Sequence, residues 1–247
     1  MSAPVFRPLE GLEEYERCVE LQELVWGSGF RHRVPSSILM VAAETGGVVS
    51  GAFEGDRLLG FVFGISGLRD RRPVHWSDML AVRPEARGRG IGLGLKLHQR
   101  ELLLGRGIER VLWTFEPLEA RNAYLNLHKL GATVRGYRRD MYGRSDSPLH
   151  AGIGTDRLVA EWRIASDRVA RRLRGASPAA PDPDAVVRVA IPSDIQSIKR
   201  DDPEAALEWR RRVRSELESR LAEGYTAVDV EPGPDRSHYL LIRSLAE

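Results

Sequence analysis

The sequence predicts an α/β fold, and three observations carry that prediction. An apolar run ends at Val82, Pro84 breaks it, glycines alternate at 88, 90, 92 and 94, and a helical pattern then begins, which reads as strand, tight glycine loop, helix. Runs with strand character and runs with helical spacing alternate from Val5 to Ile164. The chain has 247 residues, 42% hydrophobic and 29% charged, so it can bury a sizeable core in the manner of an ordinary globular protein.

Each element follows from local pattern. Val5–Arg7 reads as a first short strand. Apolar residues at 12, 15, 18, 19, 21, 24 and 25 give a helix over Gly11 to Trp26, ended by Gly27-Ser28-Gly29. Pro35 opens a shorter helix reaching Ala43. Val48–Glu54 and Arg57–Ile65 flank Gly55-Asp56, a hairpin signal. Val74–Val82 is the strand before the glycine loop, and Gly90–Leu104 the amphipathic helix after it, closed by Gly105-Arg106-Gly107. Ile108–Phe115 is a buried strand, Glu119–Leu130 a helix capped by Gly131, and Ala132–Arg138 and Arg157–Ile164 are strands on either side of a long loop, 140–156. The order is β-α-α-β-β-β-α-β-α-β-β.

Bulk properties exclude several functions. A net charge of +2 argues against binding nucleic acid by bulk electrostatics. One cysteine, Cys18, excludes internal disulfides and cysteine-based metal clusters, and its place on an apolar helix face reads as a small buried residue. No apolar stretch approaches the ~20 residues that cross a bilayer, and no signal pattern opens the chain, so a cytoplasmic protein is expected. Lysine occurs only at 96, 129 and 199; the remaining basic residues are arginine.

Glycines allow backbone N–H groups to approach a ligand, and a helix N-terminus adds unsatisfied donors, so the loop suits a phosphate or pyrophosphate. A Walker loop requires Lys-Ser or Lys-Thr after the glycines, and none follows. The dinucleotide fingerprint fails in both registers because positions 93 and 95 are leucine. The pattern that fits is Arg87-x-x-Gly90-x-Gly92 after a strand, which resembles the pyrophosphate loop of the GNAT superfamily of acyl-CoA-dependent N-acyltransferases. The element order over residues 5 to 165 matches that fold too. The resemblance implies a central mixed, mostly antiparallel sheet flanked by helices.

It also implies a chemistry. Acetyl-CoA or succinyl-CoA would be the acyl donor, with no metal, and a small-molecule amine or amino acid the acceptor; the alternatives are a non-catalytic CoA-binding regulatory module and a protein N-terminal acetyltransferase. The loop amides from Gly88 through Arg89, Gly90, Ile91 and Gly92 to Leu93 would hold the pyrophosphate, with charge from Arg87 and Arg89. Leu80, Ala81 and Val82 would offer a strand edge to the pantetheine arm, one N–H serving the thioester oxygen. An alkyl ammonium titrates near ~10.4, so a carboxylate must take its proton at neutral pH. Glu116 at the end of the fifth strand is the first choice, Asp78 the second, and His75 a third that reads more simply as a surface group. The family's thiolate-protonating tyrosine falls at Leu127, so it is absent; Tyr124, one turn earlier, is the substitute. Asn122 and Asn126, four apart, share a helix face and suit contact with the donor arm or the acceptor. Arg138 and Arg157 suit a carboxylate on the acyl group or acceptor, and Arg139 lies beside them. The segments Trp113–Gly131, Asp146–Leu149 and Thr155–Leu158 resemble a bacterial branch of the superfamily linked to N-succinylation of amino acids.

The organisation expected is an acyltransferase domain over 1–170, a Pro- and Ala-rich linker over 171–185, and a small C-terminal α/β appendage over 186–247. The appendage, with strand, arginine-rich helix Pro203–Glu223 and two strands, reads as a degenerate half of the same fold or as a cover that supports a homodimer.

Overall fold

Hydrophobic alternation sets the strands, and the computed structural model describes residues 3–143, 152–175 and 185–243. Two compact units divide the chain, one running to Leu112 and one from Trp113 onward, so strand β5 crosses the division. The expected linker at 171–185 falls inside the second unit, with residues 176–184 outside the described ones. The motif expected at Asp146–Leu149 also lies outside them.

In the first unit the strands are β1 (Val5–Pro8), β2 (Val48–Glu54), β3 (Arg57–Arg69), β4 (Arg72–Val82) and the start of β5 (Arg110–Phe115), in that spatial order. β1 to β4 pair antiparallel, and β4 pairs parallel with β5 at His75↔Val111 and Trp76↔Leu112. The hairpin β3–β4 is longer than the sequence pattern suggested. Asp70 and Arg71 both adopt positive φ, 53° and 61°, and so turn the chain tightly without a glycine. Helices α1 (Gly11–Trp26), α2 (Ser36–Glu44) and α3 (Ile91–Gly105) accompany this sheet. Tyr15, Cys18 and Leu21 of α1 and Leu39 of α2 pack with Phe61, Phe63 and Met79 in one core. Cys18 is buried as expected, and burial pushes its thiol far up. Gly94 is required for packing, since a Cβ there would collide with the Phe6 ring.

In the second unit α4 (Ala120–Ala123) passes into a π-helix, Tyr124–Lys129, whose wider turn ends with Leu130 N–H on the Leu125 carbonyl at 3.0 Å. The sequence suggested one continuous α-helix there. β6 (Thr133–Arg138), β7 (Arg157–Arg163), α5 (Asp167–Leu173), β8 (Val187–Pro192), α6 (Ile195–Asp201), α7 (Pro203–Ala222), β9 (Thr226–Glu231) and β10 (Arg236–Ile242) follow. The spatial order is β7-β6-β9-β10-β8, antiparallel throughout. β9 pairs with β6 at Val134↔Ala227, so the C-terminal strands continue the β6–β7 layer. Asp202 caps α7 by accepting from Ala205 N–H at 3.0 Å, with Pro203 at the first helical position. Tyr239, fully buried, donates to the Pro117 carbonyl at 2.8 Å and ties β10 to the chain after β5. Among the described residues no helix is long and apolar enough to cross a membrane.

Candidate functional site

In the first unit β4 delivers the chain to the glycine loop. Arg83 fixes the strand's exit, its Nε donating to the Leu58 carbonyl at 2.7 Å and its N–H to that of Leu59 at 2.8 Å. A single 3-10 turn, Pro84–Ala86, leads to Arg87, which is exposed. Gly88 and Gly90 both have φ of 78°, and a Cβ on either would enter open space. Gly90 is the N-cap of α3 and supplies no side-chain cap, so the first-turn N–H groups end in the open loop. A helix end of this kind, with a positive dipole and a clear approach, fits a pyrophosphate. Arg89 is tied to Glu54 at 2.8 Å, while Leu80, Ala81 and Val82 pair with Val62, Phe61 and Gly60 on β3.

Asp78 occupies a special place on the same strand. Ser77 pairs with Gly64 and Met79 with Phe63, so Asp78 is the extra residue of a β-bulge, a device that re-aims a side chain. Its side chain is exposed, yet the dense surround desolvates the carboxyl and raises it above its ordinary value, against the lowering effect of a Trp76 hydrogen bond and of His32. An accessible carboxylate with raised proton affinity is a candidate base.

His75 is not the surface group expected from its place near a strand start. It is 0% exposed, and burial, then Lys96 and Arg106, push it down to about 3. Ser66 Oγ donates to the Gly46 carbonyl at 2.8 Å and faces His75 Nδ1 at 3.0 Å; Gln99 Nε2 lies 3.0 Å from His75 Nε2. With the serine proton already committed, the imidazole proton belongs on Nδ1, and Nε2 accepts from Gln99. Lys96 donates to Gln99 Oε1 at 3.2 Å and to Ser77 Oγ at 2.7 Å, and burial pushes its amine down to about 7. Sequence pattern gave no hint of this chain, because its members come from three elements.

Glu116, the first choice for a base, lies in the second unit. This side chain is buried at 6% exposure, and both oxygens are committed. Arg210 Nη2 donates to them at 2.6 and 2.7 Å, Arg157 Nη1 at 3.3 Å, and Leu118 N–H at 3.0 Å. The carboxylate is clamped by two guanidinia in a buried ion pair. Arg210 lies 94 positions away on α7, beyond any motif spacing. Nearby, Asp156 is fully buried; burial would raise it, but Arg214, Tyr137 and the Asp140 N–H together hold it below the ordinary carboxylate range. Arg157 is thus part of this network, whereas Arg138 is exposed at the end of β6 and Arg139 pairs with Glu218 at 2.5 Å.

On the π-helix Leu127 is fully buried, and Tyr124 stacks on His128 with ring centroids 4.4 Å apart. Asp229 of β9 receives Arg172 at 2.6 Å and faces His128 Nδ1 at 3.0 Å. Asn126 is buried rather than solvent-facing and donates to Asn122 at 3.2 Å, which remains exposed. The described residues contain no group of three or more metal-ligating side chains.

Residues 12–132 match the family described as Acetyltransferase (GNAT) family. A putative acetyltransferase from Salmonella typhimurium, solved with its cofactor acetyl-CoA, superposes with a TM-score of 0.52 at 16% identity, covering 74% of this chain and 99% of its own. Aminoglycoside 6'-acetyltransferase type Ii gives 0.52 at 15% identity over 66% of this chain and 98% of its own. The ribosomal-protein-S18-alanine N-acetyltransferase of Escherichia coli gives 0.50 at 15% identity over 66% and 95%. No curated protein matches the sequence significantly.

Proposed function

We propose, from the premise that this chain belongs to the acetyltransferase (GNAT) family over residues 12–132 and is an acyl-CoA-dependent N-acyltransferase, that its acceptor is a small amine or amino acid and that Asp78 takes the acceptor's proton. The observation that carries this reading is the pairing, on one strand, of the bulged carboxylate Asp78 with the open glycine loop that follows Val82. Four residues of strand separate Asp78 from Val82, about 13 Å, a span suited to a pantetheine arm lying along β4.

Acyl-CoA supplies an electrophilic thioester carbonyl. The N–H groups of Gly88–Leu93 and the α3 N-terminus hold its pyrophosphate, with Arg87 adding charge. Asp78 accepts a proton from the acceptor ammonium, directly or through one water: an N–H bond breaks and an O–H bond forms. The freed nitrogen bonds to the acyl carbon as the C–S bond breaks; the second proton that the new amide nitrogen must lose passes to solvent, and the departing thiolate (thiol pKa ~8.5) takes a proton from solvent, since Leu127 has none to give. A backbone N–H of β4 serves the thioester oxygen.

The aminoglycoside enzyme and the ribosomal-protein-S18-alanine enzyme bracket the acceptor choices, one a small molecule and one a protein alanine. The test is to incubate the protein with acetyl-CoA or succinyl-CoA and a panel of amines and amino acids and to follow free thiol. Release above hydrolysis with one panel member supports the reading and identifies the acyl group. Hydrolysis alone throughout contradicts it.

A further inference from the structure

The bulge at Asp78 turns β4 over. Before it, His75 and Ser77 point to α3, where Gln99 and Lys96 meet them. After it, Met79 and Ala81 pack in the core with α1 and α2. These four residues alternate along the strand and all are buried, at 7% exposure or less, so an unbroken strand would place them on one face. One extra residue moves the later pair to the opposite face, and Asp78 is that residue, exposed between them. Where the bulge falls therefore decides which side chain is presented.

Polar side chains beneath β4 fix that position. Lys96 Nζ donates to Ser77 Oγ at 2.7 Å and to Gln99 Oε1 at 3.2 Å, and Gln99 in turn meets His75. Lys96 and Gln99 are three apart on α3 and so share a face. They hold 75 and 77, the two buried residues that lead into the bulge. Across the pair of strands Gly64 is required, since a Cβ there would collide with the His75 ring and the Trp76 carbonyl. The far ends are tied as well: Ser66 Oγ and Arg106 Nη1 both donate to the Gly46 carbonyl, at 2.8 and 2.9 Å.

A buried lysine carries a desolvation cost. Lys96 is 4% exposed, and burial lowers its amine to about 7. A methionine would fill the space without that cost but could not donate to Ser77. Lys96 also stands six residues past Gly90, about 9 Å along α3, so the helix whose N-terminus suits a pyrophosphate also grips the bulge.

We propose that Lys96 is a positioning residue for acyl transfer: through Ser77 it holds the bulge in the register that turns Asp78 outward. The inference rests on the reading of Asp78 as the group that takes the acceptor's proton, but the anchoring is measurable without any transfer. Lys96 is buried and acts through the strand, not on a substrate.

The experiment uses the full chain carrying Ser77→Ala, Ser77→Thr or Lys96→Met. The Asp78 carboxyl is titrated by carbon-13 NMR, its signal assigned by its loss in Asp78→Asn. In parallel, kcat and KM are measured with the acyl-CoA and amine that release most thiol. Ser77→Ala removes a single hydroxyl and carries the test if Lys96→Met melts too low. In both, the Asp78 titration, raised in the wild type, should move back toward ~3.9. Their kcat should fall on the order of ten- to a hundredfold while KM for acyl-CoA holds. Ser77→Thr, which restores the hydroxyl, should recover both. An unmoved Asp78 titration in folded Ser77→Ala, or a kcat equal to wild type, would overturn the proposal. The two readings fail separately. A moved titration with full activity in Asp78→Asn removes Asp78 as the base and keeps the anchor. Lost activity in Asp78→Asn, with titration and kcat intact in Ser77→Ala, removes the anchor and keeps Asp78.

Discussion

Asp78 and Glu116 are carboxylates of two regions, one within β4 and one just past the end of β5, and their surroundings differ sharply. Asp78 stands at a bulge, reachable by solvent, with its proton affinity raised by desolvation. Glu116 is buried, with four hydrogen bonds from Arg210, Arg157 and Leu118 on its two oxygens. Strand position alone made Glu116 the better candidate for a base. The difference comes from partners far off in sequence: α7 brings Arg210 to Glu116, while Asp78 at its bulge stays exposed. A carboxylate is reactive where the fold withholds cations and structural where it supplies them.

The largest expected effect lies on the Glu116 side. Arg210→Ala leaves a buried carboxylate with one distant guanidinium and should destabilise the protein by about 3–5 kcal/mol, read from denaturant midpoints. A loss under about 1 kcal/mol would show that Glu116 reaches solvent and would reopen its candidacy.

A smaller effect separates the regions by pH. His75 in the first unit is held neutral, down to about 3, against ~6.5 when unfolded. Between these values the unfolded chain binds more protons, so stability falls as pH drops below ~6.5; by pH 5 the loss is about 2 kcal/mol, from roughly 1.5 pH units at ~1.4 kcal/mol each. The carboxylate Asp156 of the second unit is held low instead, so its contribution is present above ~3.9 and lost only below. Melting temperatures of wild type and His75→Gln between pH 7 and 5 check this: the wild-type slope should flatten in the variant. Parallel slopes would place the acid sensitivity elsewhere.

The smallest effect concerns the loop. Arg89 and Glu54 form a partly exposed pair at 2.8 Å, with side chains 26% and 23% exposed. Arg89→Ala should change stability by less than about 1 kcal/mol, and the KM for acyl-CoA should rise if Arg89 also meets phosphate. An unchanged KM would limit its role to Glu54.

Legibility in the sequence followed the range of the interactions. The glycine loop, its strand and its helix were readable because the pattern from Val82 to Lys96 is local. The element order was readable because hydrophobic periods persist in each segment. The positive-φ turn at Asp70-Arg71, the bulge at Asp78 and the π-helix at Tyr124–Lys129 were not, since each is a local exception enforced by packing. The buried chain from Ser66 through His75 and Gln99 to Lys96, and the Glu116–Arg210 clamp, unite residues that no spacing rule connects.

The most direct test of this contrast is the pH dependence of kcat/KM for Asp78→Asn and Glu116→Gln, measured on the folded fraction of each. Asp78→Asn should lose about 10²–10⁴-fold together with the acidic limb of the profile, at an unaltered melting temperature. Glu116→Gln should melt lower yet keep the wild-type profile. The reverse pattern, an intact profile in Asp78→Asn and a lost limb in Glu116→Gln, would contradict the assignment of the proton to Asp78.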